Sequence, residues 1–257
     1  VGRKFDIYYV LDFLPKLLSY LHITLFIVAC SIMLGIVIGF LVALPRLYNV
    51  PVLKRVSQVY VSFFRGTPIL IQLFLIYYGL PELLKLVGID TSRADVLLFV
   101  ILTYALHSGA FVSEAIRAAV NAVDRGQVEA AYSVGMSGYK AFTRIVLPQA
   151  LSISVPILAN LVIANLKDTS LAFTLGAMEM TGKSQTLGLA TQHFLETYIA
   201  LSLIYFVIST ALERSFSFME RRLLRHERQD VDKELGWKRL VGLRRRLILV
   251  SRREADS

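Results

Sequence analysis

Five long apolar runs, each about the length that crosses a bilayer, constrain this chain more than any other feature of its sequence. A transmembrane helix needs about 20 predominantly apolar residues, and such runs lie at roughly 18–44, 55–80, 95–119, 150–175 and 195–218. Charged residues make up 18% of the chain against 55% hydrophobic, and mean hydropathy is +0.59, too apolar for an ordinary soluble domain. Backbone polar groups in hydrocarbon must be satisfied within the segment. The chain is therefore expected to be an all-α polytopic membrane protein with five transmembrane helices.

The net charge of +9 follows topology rather than a nucleic-acid-binding module. Arg46, Lys54 and Arg55 lie between the first two runs, Arg125, Lys140 and Arg144 between the third and fourth, and Arg221, Arg222, Arg225 and Arg228 after the fifth. The alternate connections carry only Lys85 and Arg93, then Lys183. The positive-inside bias places the C-terminus in the cytoplasm and the N-terminus outside, although Arg3, Lys4 and Lys16 run against it. Residues 1–17 mix charge with Phe5, Tyr8, Tyr9 and Phe13, which suits an interfacial segment at the outer headgroups. The first span is expected to end at Pro45, and residues 176–194 to form a polar outer connection.

Catalytic and metal chemistry find little support. Cys30 is alone, which excludes an intrachain disulfide. Ile27–Cys30 looks like a lipoprotein cleavage box, but the apolar run continues to Leu44, longer than the about 7–15 residues of a signal core. His22, His107, His193 and His226 lack metal-ligand spacing. Gly176-x5-Gly182-Lys183-Ser184 is one residue too long for a phosphate loop and follows no strand.

Three polar segments break the apolar pattern. The stretch of about residues 122–148 contains Glu129-Ala130-Ala131, then Gly135-Met136-Ser137 and Ile145-x-Leu147-Pro148. Small alanines permit close approach, Gly135 can take the positive φ that ends a helix, Ser137 can cap a second short helix and Pro148 punctuates its end. A cytoplasmic docking loop and an ordinary amphipathic loop both fit that pattern. Arg65-Gly66-Thr67-Pro68 interrupts the second run. It is either a kink with Arg65 snorkelling to the interface or a cavity-lining bend, with Gln72 one turn further on and facing inward.

The fourth run carries Asn160, Asn165, Lys167 and Asp168. A central Lys or Asp costs about 2.5 to 3.5 kcal/mol on insertion scales, so these residues either serve a polar pathway or sit in water at the outer end of a short span. Adjacent helical positions diverge by about 100°, so Lys167 and Asp168 should face different neighbours. In the third run, His107-Ser108-Gly109-Ala110 suits close helix packing or a ligand contact, and Glu114 and Arg117 can pair along one face. After Leu223 the chain is strongly charged. Leu235 to Val250, with Trp237, could form a helix on an anionic leaflet or a disordered basic tail.

Three segments together resemble the permease subunit of bacterial ATP-binding-cassette importers, specifically the polar amino acid uptake family. They are Gly126-Gln127-Val128-Glu129-Ala130-Ala131 through Gly135 to Pro148, then Phe64-Arg65-Gly66-Thr67-Pro68 through Gln72, and Leu166-Lys167-Asp168-Thr169-Ser170-Leu171. The resemblance spans about residues 15–222. It implies an importer transmembrane domain at 18–222, a coupling helix around Gly135 anchored by Glu129, and a basic tail at 223–257 that relatives commonly lack. It also implies two separate ATPase subunits holding ATP and Mg, a second permease subunit, an external substrate-binding protein and a lipid setting, with no cofactor and no nucleic acid on this chain. Lys167 and Asp168, helped by Gln72, Asn160 and Asn165, are the expected amino acid pathway, with Arg65, Gly66 and Pro68 as a structural kink. An ion-coupled carrier, a channel, or an importer of methionine or peptide remain as alternatives.

Overall fold

The computed structural model describes residues 5–91 and 93–223. The tail residues singled out above, including Trp237, lie outside these. Residues 1–214 form one compact unit and 215–257 a second, of which 215–223 are described.

An amphipathic helix α1 (Ile7–Leu18) opens the described chain. Asp6 caps it by accepting from the Tyr8 N–H, an N-cap role that short carboxylates fill well. The face bearing Val10, Phe13 and Leu17 is buried against Met180, Ala200, Leu201 and Ile204. Helix α2 (Leu21–Leu47) follows, with Met33, Val37 and Leu41 on its exposed outer face. An outward apolar surface is what a lipid-facing helix presents. It outlasts the expected stop at Pro45, because a proline this close to the end removes one hydrogen bond only, and the final carbonyls of Leu44 and Pro45 accept from Tyr48 and Val50.

The second run is divided. Helix α3 (Pro51–Gly66) ends where Thr67 is extended (φ −114, ψ 144), the conformation that a following proline imposes. Helix α4 (Ile69–Leu86) is the part long and apolar enough to span, so the span expected at 55–80 starts later. Helix α5 (Val96–Ala122) is the central one, buried over much of its length. It packs closest on α2 because both helices are small at the contact. A Cβ on Gly35 would come within 2.8 Å of Ser108 Cβ, and one on Gly39 within 2.5 Å of Val112 Cγ1. Such small-residue faces let membrane helices approach closely.

A polar helix α6 (Arg125–Ser133) precedes α7 (Gly138–Leu175). Pro148 does not terminate a short second helix. The Leu147 N–H reaches back to the Phe142 carbonyl, a π turn over Phe142–Val146, and the wider turn admits a residue with no donor. Residues 169–175 tighten to a 3₁₀ turn that ends at Gly176 (φ 88). The supposed polar outer connection is itself mostly helix, α8 (Met180–Thr191), with Met180, Thr181, Gly182 and Ser184 buried. Helix α9 (Phe194–Leu223) completes the five candidate spans with α2, α4, α5 and α7. No strand occurs among the described residues.

Candidate translocation groove and coupling segment

Helices α5 and α7 run antiparallel and enclose a groove of about 340 Å³. His107, Phe111 and Ala115 form one wall, and Asn160, Leu161, Ala164, Asn165 and Asp168 the other. Three of the five residues expected to line a pathway, Asn160, Asn165 and Asp168, therefore meet in one place. Asn165 is 3% exposed. Its amide donates to Ser108 Oγ at 2.8 Å, while its Oδ1 is buried without a hydrogen-bond partner, the kind of group that an internal water satisfies. The Tyr104 hydroxyl donates to the Asp168 main-chain carbonyl, which fixes the backbone here and leaves the carboxylate to the groove.

Lys167 is separated from Asp168, as the helical geometry predicts. It lines a second groove with Ser170, Thr181, Ser202, Tyr205 and Ser209. A solute lodged beside Asp168 does not meet Lys167 of the same chain.

Gln72 faces inward but is already occupied. Its Nε2 donates to the Phe64 carbonyl at 2.8 Å and to the Thr67 carbonyl at 2.9 Å, closing the break between α3 and α4. Its Oε1 lies 2.9 Å from His107 Nδ1. Because the Gln72 nitrogen is spent on carbonyls, Oε1 is the acceptor and Nδ1 the donor. A neutral His107 then keeps Nε2 as an acceptor on a ring that lines the groove. Pattern reasoning at 107–110 left packing and ligand contact open. The two roles fall on neighbouring residues, with Ser108 and Gly109 packed against α2 and His107 against the groove.

One cluster exceeded its expectation. Glu114 pairs with Arg117 as its spacing predicts, but also with Arg46 Nη2 at 2.8 Å and with Arg65 Nη1 at 3.9 Å. Arg46 is 68 residues away in sequence, so no local pattern could reveal it.

The second polar segment points outward. Asp124 caps α6 through the Gly126 N–H at 2.9 Å. At its other end the Gly135 N–H bonds to the Tyr132 carbonyl and the Met136 N–H to the Ala131 carbonyl. Gly135 has φ 78, the left-handed value expected of it. Ser137 caps the next helix by accepting from the Lys140 N–H. Ala131 is buried, Glu129, Ala130, Gly135 and Ser137 are exposed, and Met136 is half-buried. Val134 and Tyr139, which the sequence reading passed over, are 78% and 79% exposed. Large apolar and aromatic side chains left exposed at both ends of a polar turn are a feature of interaction surfaces.

Five spans, an interrupted second helix, a polar groove between α5 and α7 and an outward helix–turn–helix define the transmembrane permease subunits of type I ATP-binding-cassette importers. Residues 35–225 match the family described as binding-protein-dependent transport system inner membrane component, and the chain belongs to that family. It is thus a multi-pass inner-membrane transport component rather than an enzyme. The L-cystine transport system permease protein TcyL of Bacillus subtilis (strain 168) is 49% identical over 225 residues, covering 88% of this chain and 94% of that protein. The arginine transport system permease protein ArtQ of the same organism is 35% identical over 210 residues, covering 82% and 93%. A crystal structure of an amino acid ABC transporter with histidines superposes with a TM-score of 0.78 at 31% identity, covering 86% of this chain and all of that one.

Proposed function

We propose that this chain is the permease subunit of an ATP-driven importer of polar amino acids, moving its solute by alternating access. The observation that carries the mechanism is the exposed Val134–Tyr139 turn, joined to the groove wall through a continuous run of helix that widens to a π turn at Phe142–Val146. Residues 138–175 form one continuous helical rod, with the turn at one end and Asp168 near the other. A rod transmits rigid-body movement where a flexible loop absorbs it.

Two separate ATPase subunits, carrying ATP and Mg, bind on the cytoplasmic side, one of them at this turn. Glu129 anchors the contact, Ala130 and Ala131 allow close approach, and Gly135-Met136-Ser137 form its tip. A second permease subunit, identical or paralogous, completes the pathway, and an external binding protein delivers the solute. The N-terminus lies outside and the C-terminus in the cytoplasm, with the basic residues beside Arg46, Arg125 and Arg221 on the cytoplasmic side. Asp168 attracts the solute's ammonium or cationic group, and Asn160 and Asn165 supply neutral polar contacts. Lys167, in its own groove, serves a second permease subunit or a solute passing between the two. Relatives named for cystine and arginine support a polar amino acid rather than methionine or a peptide.

The test is uptake into proteoliposomes containing the permease, its ATPase and its binding protein, over a panel of amino acids. ATP-dependent uptake of at least one polar amino acid is expected, with ATPase activity stimulated by the same solute. Uptake that continues without an ATPase chain would instead support an ion-coupled carrier.

A further inference from the structure

We propose that the Arg65 guanidinium receives the carboxylate of the translocated solute on the Ala115 side of the groove. The proposal rests on the amino acid reading above and adds to it the residue that senses the acid group. A zwitterion in this groove meets one carboxylate, Asp168, two amides and an imidazole, but no cationic side chain among the lining residues. Lys167, the obvious cation by sequence, opens into the other groove.

Arg65 lies against that wall. Its guanidinium carbon lies 5.5 Å from the centroid of the Phe111 ring, and Phe111 lines the groove and packs at 4.9 Å on His107. Phe111 is thus shared between the arginine and the pathway.

Arg65 also has unspent capacity. Three guanidiniums converge on the single carboxylate of Glu114, an excess of two positive charges. Arg46 takes one oxygen at 2.8 Å, and Arg117 takes the other. Arg65 stands off at 3.9 Å and makes no hydrogen bond to a described residue. An arginine in the last turn of a helix often caps its carbonyls. Here that work falls elsewhere, because the Gln72 amide takes the Phe64 and Thr67 carbonyls and the Thr67 hydroxyl takes that of Phe63. The guanidinium is about half exposed, rigidly based beside the Gly66-Thr67-Pro68 break, and free to offer a bidentate fork. That fork matches a carboxylate better than an ammonium does.

The test uses the purified permease–ATPase complex in nanodiscs, titrated with L-cystine, L-arginine and L-glutamine and with the α-carboxamide of each. Wild type should bind at least one acid more tightly than its amide. Arg65→Gln should weaken that acid about tenfold or more and leave the amide unchanged, so that discrimination collapses. Arg65→Lys should lose only part of it, which separates recognition from loss of fold. If Arg65→Gln fails to assemble, the acid-to-amide ratio of Arg65→Lys decides. Running both lipid compositions, phosphatidylcholine alone and with phosphatidylglycerol, tests the other source of an anion at this position. An Arg65→Gln effect that appears only with phosphatidylglycerol would assign the residue to a headgroup phosphate and overturn the proposal. An unaltered acid-to-amide ratio overturns it as well, as does wild-type uptake, into the proteoliposomes, of an acid that the complex in nanodiscs does not bind. Absence of wild-type uptake for the whole panel would instead sink the amino acid reading, and this proposal with it.

Discussion

Two connections leave opposite ends of α7, and their sequences look equally polar. Residues 124–137 are exposed except for Val128, Ala131 and Met136, with Tyr139 exposed just beyond them, whereas residues 177–193 bury several of their polar side chains, Glu179 at 0% exposure and His193 at 4% among them. On the inward connection, Glu179 and His193 find their partners within the chain. Glu179 accepts from the Gly182 N–H at 2.9 Å and from the Thr24 hydroxyl at 3.4 Å, and His193 stacks on Tyr9 while pairing with Glu196 at 3.0 Å. The outward one satisfies its backbone but leaves its apolar side chains unused. Polarity in sequence therefore says nothing about which way a connection faces. What differs is whether its side chains find partners inside this chain.

That contrast breaks most readily at Glu129. Charge reversal to Lys should abolish coupled uptake, a loss of at least about tenfold if one charge-assisted contact worth about 1.5 to 3 kcal/mol is removed. Thermal stability of the permease should be unchanged, because an exposed residue holds nothing within the chain. Normal coupled uptake in that variant would remove Glu129 from the anchor.

The inward connection should respond in the opposite sense. Glu179→Ala removes the cap of α8 and leaves donors buried, at a cost of about 1 to 3 kcal/mol, read as a lower melting temperature. A variant that melts like wild type would contradict the burial.

Burial also raises the Glu179 carboxyl above the usual carboxylate range, against the hydrogen bonds that favour its ionised form. The folded state therefore holds its proton at a pH where the unfolded chain has released it. Stability should fall as pH rises through that window, from about pH 4.3 upward to the raised value. Glu179→Gln should flatten that slope, and an identical slope in the variant would assign it to another group.

The smallest effect should come from Gly135→Ala. With φ 78 and no atom within 4 Å of an added Cβ, the substitution meets conformational strain but no clash, about 1 kcal/mol. Uptake should drop by less than in Glu129→Lys. A larger loss would mean that the turn tip tolerates no added atom at its docking surface.

Much of this was legible in the sequence because it is local. The apolar runs located the five spans, Gly135 and Ser137 marked the turn and cap, and a rotation of 100° per residue parted Lys167 from Asp168. Pro68 located the break in the second run, but the same proline logic misplaced two ends. Near a C-terminus, as at Pro45, and after a π turn, as at Pro148, a missing donor is absorbed without ending the helix. What stayed hidden depends on distant partners. Glu114 with Arg46, Gln72 with His107, and Thr24 with Glu179 are separated by 68, 35 and 155 residues. Only the fold decides that Gln72 repairs a helix break and that the polar stretch around Glu179 is interior.

Proximity at the turn tests the central claim most directly. With Cys30 replaced by serine, a single cysteine is placed at Val134 or at Met178, the latter an exposed residue of the inward connection. Each complex, co-expressed with its ATPase, is labelled with a maleimide that carries a photoreactive benzophenone and is then irradiated, so that the cysteine supplies one bond and any C–H of the neighbouring chain the other. The account predicts a permease–ATPase adduct from Val134→Cys and none from Met178→Cys. An actively transporting complex that gives no ATPase adduct from position 134, or gives one from position 178, would contradict it.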